Sequence, residues 1–212
     1  MSNAAGLRID ARRNRDALLA AARRVLSGSR LDAPLAAIAR EAGLGRATLY
    51  RRFPSRDALV GAILESNIDE LAWIAEREPD RPRAYFVILA VCVELQRRDQ
   101  AFIDMLAGRP EAEEIERDLQ RRFLAVVEQP LRDAQAAGLV RSDLRPDDTL
   151  SIVVMLGAAT RPTRNGGPAP RCARALALVL DALVPAPAHR DLDRAGSVRE
   201  IVERATEHVR LV

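Results

Sequence analysis

The sequence predicts an all-α fold, with a small amino-terminal unit of three helices followed by a larger helical bundle. Three observations carry this. Aliphatic residues and alanine supply nearly all of the apolar content, while aromatics make up only 3%. Apolar side chains recur at three- and four-residue intervals, and alternating runs of β-branched residues are hard to find. Glycine- and proline-containing breaks separate the periodic stretches. A chain of 212 residues is long enough to bury a substantial core and to join a small domain to a larger one.

The elements follow in order. Residues 8–27 place Leu18, Ala21, Ala22, Val25 and Leu26 on one face with arginines opposite, an amphipathic helix ending near Gly28. A short helix over residues 34–42 comes next, with Asp32 or Ala33 as cap, Pro34 in its first turn and Gly43 where a left-handed residue ends it. A third runs from Arg46 to Phe53 and is stopped by Pro54. Ser55 caps a long fourth helix reaching about Glu76.

After the break Glu78-Pro79-Asp80-Arg81-Pro82, residues 84–93 are apolar on every side, as in the middle of a bundle, and end in the polar stretch 94–99. Residues 101–106 read as a separate short helix, and residues 112–137 as a long one bent near Pro130 and closed by Gly138. Two more apolar helices are expected at 148–159, capped by Asp148, and at 171–184, with a mobile glycine- and proline-rich segment between them. A last helix carries Val198, Ile201, Val202, Ala205 and Val209.

Charge is distributed unevenly. All 33 basic residues are arginine, which we read as coding bias rather than a functional signal. Residues 1–60 hold twelve arginines against five acids, a net +7, so that the remainder carries −4 of the total +3. A basic amino-terminal unit is what a polyanion-binding module needs, since each arginine near a phosphate releases counterions. Cys92 and Cys172 stand alone among apolar neighbours, without metal-ligand spacing, and no cofactor is implied. The charged amino terminus and the short length of the longest apolar run lead us to expect a cytoplasmic protein with no membrane partner.

Residues 33–53 meet the steric requirements of a helix-turn-helix together. Ala39 is small where two steep helices touch, Gly43 tolerates the turn, and Ile38, Leu44 and Leu49 fall where they lock the pair on the first helix. The run from Ile38 through Ala39-Arg40-Glu41-Ala42-Gly43-Leu44-Gly45-Arg46-Ala47-Thr48-Leu49-Tyr50-Arg51-Arg52-Phe53-Pro54-Ser55 to Leu59 resembles the TetR/AcrR family of transcriptional regulators. The resemblance implies an all-helical homodimer with a helix-turn-helix DNA-binding domain at 8–54 and a ligand-binding and dimerisation domain at 55–212. It further implies a sequence-specific repressor that binds palindromic double-stranded operator DNA and is released by a small molecule.

Each position of the third helix has its own chemistry. Arg46, in the first turn, suits a bidentate contact to guanine, and Ala47 a thymine methyl. Thr48 and Tyr50 offer hydroxyls to phosphates, Arg51 reaches a base or a phosphate, and Arg52 and Arg56 meet the backbone. Against this stands a merely solvated basic face, which is also an open reading for Arg12, Arg13 and Arg15. Leu49 and Phe53 read as core. The family's usual threonine near the start of the second helix is replaced here by Ala33-Pro34-Leu35.

In the larger unit, Trp73, Tyr85, Phe86, Phe102, Met105, Phe123 and Met155 are candidates to line a ligand pocket, although helix packing uses the same side chains. The helices at 148–159 and 171–184 suit the dimer seam, with Gly157 permitting close approach. Two other classes compete. A redox sensor on this scaffold would act through Cys92 or Cys172. An enzyme would need more than His189 and His208, which come without a nucleophile, an acid–base pair or a phosphate-binding loop, so catalysis is not expected.

Overall fold

A computed structural model describes residues 3–26, 32–106, 109–160 and 171–185, with the side chains of 3–12, 100–102, 105, 106, 160, 171 and 172 outside the description. Within it the chain is helical: α1 (Asn3–Val25), α2 (Leu35–Glu41), α3 (Arg46–Arg52), α4 (Arg56–Arg77), α5 (Ala84–Leu106), α6 (Glu113–Ala136), α7 (Pro146–Thr160) and α8 (Arg171–Leu183). Short 3₁₀ turns at Arg81–Arg83 and Pro110–Ala112 lead into α5 and α6. The expected last helix, the segment 161–170 and both histidines lie outside the described residues.

The turn between α2 and α3 forms for a definable reason. Gly43 adopts φ 67°, a conformation that costs other residues steric strain. This brings the Leu44 amide back onto the Ala39 carbonyl at 2.9 Å and the Gly43 amide onto the Arg40 carbonyl at 3.1 Å, the paired bonds of a Schellman motif. Gly138 (φ 70°) ends α6 with the same pair of bonds, to Gln135 and Ala134. The caps are mixed. The Ser55 hydroxyl accepts from the Ala58 amide at 3.0 Å, as expected. At α2, however, the cap is Pro34, whose carbonyl takes the Ala37 amide, and no side chain caps it. At α7 the helix starts two residues earlier than expected, and Asp148 reaches back to the Arg145 amide at 2.8 Å from inside the first turn.

Residues 84–106 comprise the two helical stretches expected. They meet at Asp99, whose backbone is non-helical (φ −119°, ψ 17°), and are described together as α5. Residues 113–136 form one long helix, as expected, with Pro130 buried inside it.

Three apolar clusters hold the bundle. The first packs Leu18 and Ala22 of α1, and Leu26 just after it, against Ile38, Ala39, Leu49 and Phe53, and is closed beneath by Leu59, Val60 and Ile63 of α4. The core under the helix-turn-helix is thus shared with the long helix that leaves it. A second cluster joins α4, α5 and α6 through Leu71, Ile88, Phe123 and Val127. The third joins α5, the end of α6, α7 and α8 through Tyr85, Leu131, Leu156 and Leu183. Gly61 fixes the approach of α6 to α4, since a Cβ there would lie 2.7 Å from Ile115 Cγ2. Gly157, expected to permit close approach at a dimer seam, is buried within the chain, and a Cβ there would lie 2.8 Å from Gln96 Nε2 of α5.

Candidate nucleic-acid interface and ligand cavity

The seven residues of α3 divide sharply by face. Leu49 is fully buried and, with Phe53 just beyond the helix, pins α3 to the first core cluster. Arg46, Ala47, Tyr50, Arg51 and Arg52 are exposed, and Thr48 is half-buried. Neither Arg46 nor Arg51 forms an ion pair with a described residue. Arg56 is placed differently: its guanidinium donates to the Ala33 carbonyl at 2.5 Å, tying the start of α4 to the entry of α2. Arg15 bonds Glu65 of α4 at 3.1 Å, and Arg24 bonds Glu41 of α2 at 2.9 Å, so both brace the three-helix unit. Arg13 is exposed, and the Arg12 side chain lies outside the described residues.

Above this unit lies a cavity of about 410 Å³ between α4, α5, α6 and α7. Leu64, Ile68, Leu71, Leu95, Leu119, Phe123, Leu150 and Val153 make most of its wall, and Asn67, Gln96, Glu116 and Gln120 supply polar groups. Of the side chains expected at a ligand, Phe123 lines this wall. Tyr85 and Phe86 pack instead in the third apolar cluster, where the Tyr85 hydroxyl shares a 2.9 Å hydrogen bond with Thr149. Trp73 is 56% exposed, with the Arg77 guanidinium 4.4 Å above its ring. Met155 is 60% exposed on α7, and the side chains of Phe102 and Met105 lie outside the described residues.

A buried polar cluster links the cavity to α1. Asp99, at the kink of α5 and 1% exposed, accepts from Arg23 Nε (3.3 Å), Arg98 Nε (3.1 Å) and Asn67 Nδ2 (2.9 Å). Asn67 Oδ1 in turn accepts from Arg23 and Arg98 at 2.9 and 2.8 Å, and Arg23 also donates to Ser66 Oγ and the Ile63 carbonyl. One member, Arg23, belongs to α1, and another, Asn67, lines the cavity. The acidic neighbours Asp99 and Glu70 push the Arg98 pKa upward against the opposing effect of burial.

Cys92 also lines the cavity, and burial pushes its thiol up to about 12. A thiol held neutral is a poor nucleophile, and nothing in its surroundings favours a redox role for Cys92. Burial likewise raises the Tyr85 phenol to about 12.

Comparison with known proteins matches residues 78–185 to the family described as transcriptional regulator SbtR-like, C-terminal domain, and residues 18–63 to bacterial regulatory proteins, tetR family. The chain belongs to the TetR family. A TetR transcriptional regulator from Streptomyces coelicolor is similar over 81% of this chain and 98% of its own, at 32% identity and a TM-score of 0.57. A TetR regulatory protein from Mycobacterium vanbaalenii is similar over 84% of this chain and 99% of its own, at 28% identity and a TM-score of 0.63. The reduced form of NemR from Escherichia coli, at 15% identity over 83% of this chain and all of its own with a TM-score of 0.59, shares the fold. No curated protein matches.

TetR proteins are DNA-binding transcriptional regulators, and α2 with α3 is the helix-turn-helix of this one. Among the described residues no helix is long and apolar enough to cross a membrane, and no cluster of histidine, cysteine or acidic side chains is placed to hold a metal. Sequence reasoning missed the polar groups of the cavity and the Asp99 cluster. Gln96 and Glu116 stand in stretches whose charge density reads as solvent-facing, and Asp99 meets partners 32 and 76 residues away.

Proposed function

We propose that the chain is a homodimeric repressor that binds palindromic operator DNA through α3 and is released by a small molecule held in the cavity between α4, α5, α6 and α7. The observation that carries this reading is the division of α3. Leu49, with Phe53 just beyond the helix, is sunk in the core while Arg46, Ala47, Tyr50 and Arg51 face outward from a helix held at both ends. A short helix pinned this way can enter the major groove as a rigid body. Arg46 and Ala47 read base edges, Arg51 reaches a base or a phosphate, and Thr48, Tyr50 and Arg52 meet phosphates. Arg56 contributes by holding α2 at Ala33 and adds positive charge beside the same strand.

Dimerisation uses α7 and α8. Ser151, Val154, Met155 and Ala158 form one exposed stripe on α7, and Ala177, Leu178 and Ala182 are exposed on α8. These side chains are small or apolar, as a four-helix seam requires. A dimer presents two recognition helices to half-sites about 34 to 36 Å apart. A ligand that prefers another spacing shifts the population away from the operator. The division into a DNA-binding domain, 8–54, and a regulatory domain, 55–212, follows this labour. Shared packing of α4 with the helix-turn-helix, together with the Asp99 cluster, supplies a mechanical path between them. The reading places the protein in the cytoplasm, with its operator.

Selection of bound sequences from random duplex DNA tests the proposal. An enriched palindrome is the expected result. Arg46→Ala should relax preference at one position per half-site, and Arg52→Ala should weaken all sequences alike. Absence of any enriched sequence would remove the operator-binding reading.

A further inference from the structure

Two acceptor oxygens in the cavity wall are unpaired. Gln96 Oε1 and Glu116 Oε1 are buried and have no hydrogen-bond partner, and both residues line the cavity. The orientation of the Gln96 carboxamide is set by its nitrogen, which donates to the Val153 carbonyl at 2.9 Å and leaves the oxygen over. Gly157, lacking a Cβ, provides the space the carboxamide occupies. Asn67 forms no hydrogen bond to either oxygen: its Nδ2 donates to Asp99, and its Oδ1 accepts from Arg23 and Arg98. Among the described residues no arginine lines the cavity, in a chain whose basic side chains are otherwise abundant.

Buried polar atoms in folded proteins are normally paired, and an unpaired carboxylate oxygen in an apolar wall is costly. A ligand that pairs both oxygens gains that cost back on binding. An anionic ligand would meet Glu116 with no compensating base, and a purely apolar one would leave both oxygens unpaired. Building on the ligand-released reading above, we infer that the ligand class is a lipophilic cation: an apolar, drug-sized body carrying an ammonium or similar multi-donor head. The body packs against Ile68, Leu71, Phe123 and Leu150, and the head donates to Glu116 and Gln96. The volume of about 410 Å³ lies within the range of small-molecule sites.

Three probes with one body test the head-group chemistry by titration calorimetry on the full chain: 3,3-diphenylpropylamine, 3,3-diphenylpropanol and 3,3-diphenylpropanoic acid. The amine should bind about tenfold or more tighter than the alcohol, the gain of a charge-assisted bond over a neutral one, and the acid should bind weakest. Glu116→Gln, of nearly the same shape, should bring amine and alcohol to within about threefold while the alcohol keeps its affinity. The wild-type ranking stands without the variant, should the variant fold poorly. An alcohol or acid that binds as tightly as the amine overturns the inference. So does a preference that survives Glu116→Gln, and so does the absence of binding by all three at millimolar concentration. Operator release is read separately by fluorescence anisotropy. A Glu116-dependent preference with an intact operator complex supports the ligand class and removes the release mechanism; release by other compounds with no preference for the amine removes the ligand class alone.

Discussion

Replacing Asp99 with alanine removes the acceptor on which α1, α4 and α5 converge. The carboxylate is 1% exposed and takes three donors, from Arg23, Arg98 and Asn67, at 2.9 to 3.3 Å. Deleting one partner of a buried ion pair costs about 3–5 kcal/mol, because the charge left behind is desolvated without compensation. Here the arginine side chains are 26% and 42% exposed and keep other acceptors, Ser66 and Asn67 for Arg23 and Glu70 for Arg98. Water and those acceptors offset part of the loss, so the lower end applies, about 3 kcal/mol. For a chain of this length each kcal/mol moves Tm by about 2–4 °C, which gives a fall of roughly 6–12 °C. Asp99→Asn keeps the shape and one acceptor but loses the charge, and should show about half the fall. The assay is thermal unfolding followed by circular dichroism at neutral pH. If Asp99→Ala melts within about 2 °C of the parent chain, the cluster does not hold the three helices together and the reasoning fails.

Other consequences follow from single features. Gly43→Ala meets no atom within 4 Å, so its cost is the left-handed backbone alone, about 1–2 kcal/mol, and operator affinity should fall with it; unchanged melting and affinity would show that the turn does not need φ 67°. Cys92 and Tyr85 are held protonated to about 12 in the folded chain, whereas unfolded they release their protons near pH 9 and 10, so the unfolded state binds fewer protons and stability falls as pH rises through this window. The slope approaches about 1.4 kcal/mol per pH unit for each group, with no lysine to obscure it; urea midpoints should drop between pH 9 and 11, Cys92→Ala should flatten the part below pH 10, and a level curve would contradict the burial of both groups. Leu178→Asp puts a charge on the exposed apolar stripe of α8 and should convert dimer to monomer in sedimentation velocity, with a circular dichroism spectrum unchanged; a persistent dimer would place the seam elsewhere.

The helix-turn-helix was legible because its constraints are local. Ala39, Gly43, Leu44 and Leu49 stand within eleven positions, and each is required by sterics at that spacing. The apolar faces of α1 and α4 were legible from their periodicity for the same reason. The helix boundary near Asp99 was legible too, but the burial of Asp99 was not. In the sequence, Arg97, Arg98 and Asp99 read as the polar end of a helix, and only the arrival of Arg23 and Asn67 turns that end into a buried junction. The role of Gly157 was equally hidden, since what a glycine makes room for is decided by its neighbour across the bundle, here Gln96. Aromatic and methionine residues marked helices well and cavity walls poorly. Tyr85 satisfies its hydroxyl on Thr149 and Trp73 stacks with Arg77, while leucine, isoleucine and valine make most of the cavity surface.

The central claim is that α3 is the surface this protein presents to DNA. Fluorescence anisotropy with a selected operator duplex, measured from 50 to 300 mM salt for the parent chain and for Arg46→Ala/Arg51→Ala, tests it most directly. Each arginine that neutralises a phosphate contributes about 0.9 to the slope of log affinity against log salt, and loss of a base contact adds a sequence-dependent penalty of about 1–3 kcal/mol. The account predicts a steep slope for the parent, a shallower one for the double variant, and loss of discrimination between operator and scrambled duplex. A double variant with parental affinity, slope and discrimination would contradict it.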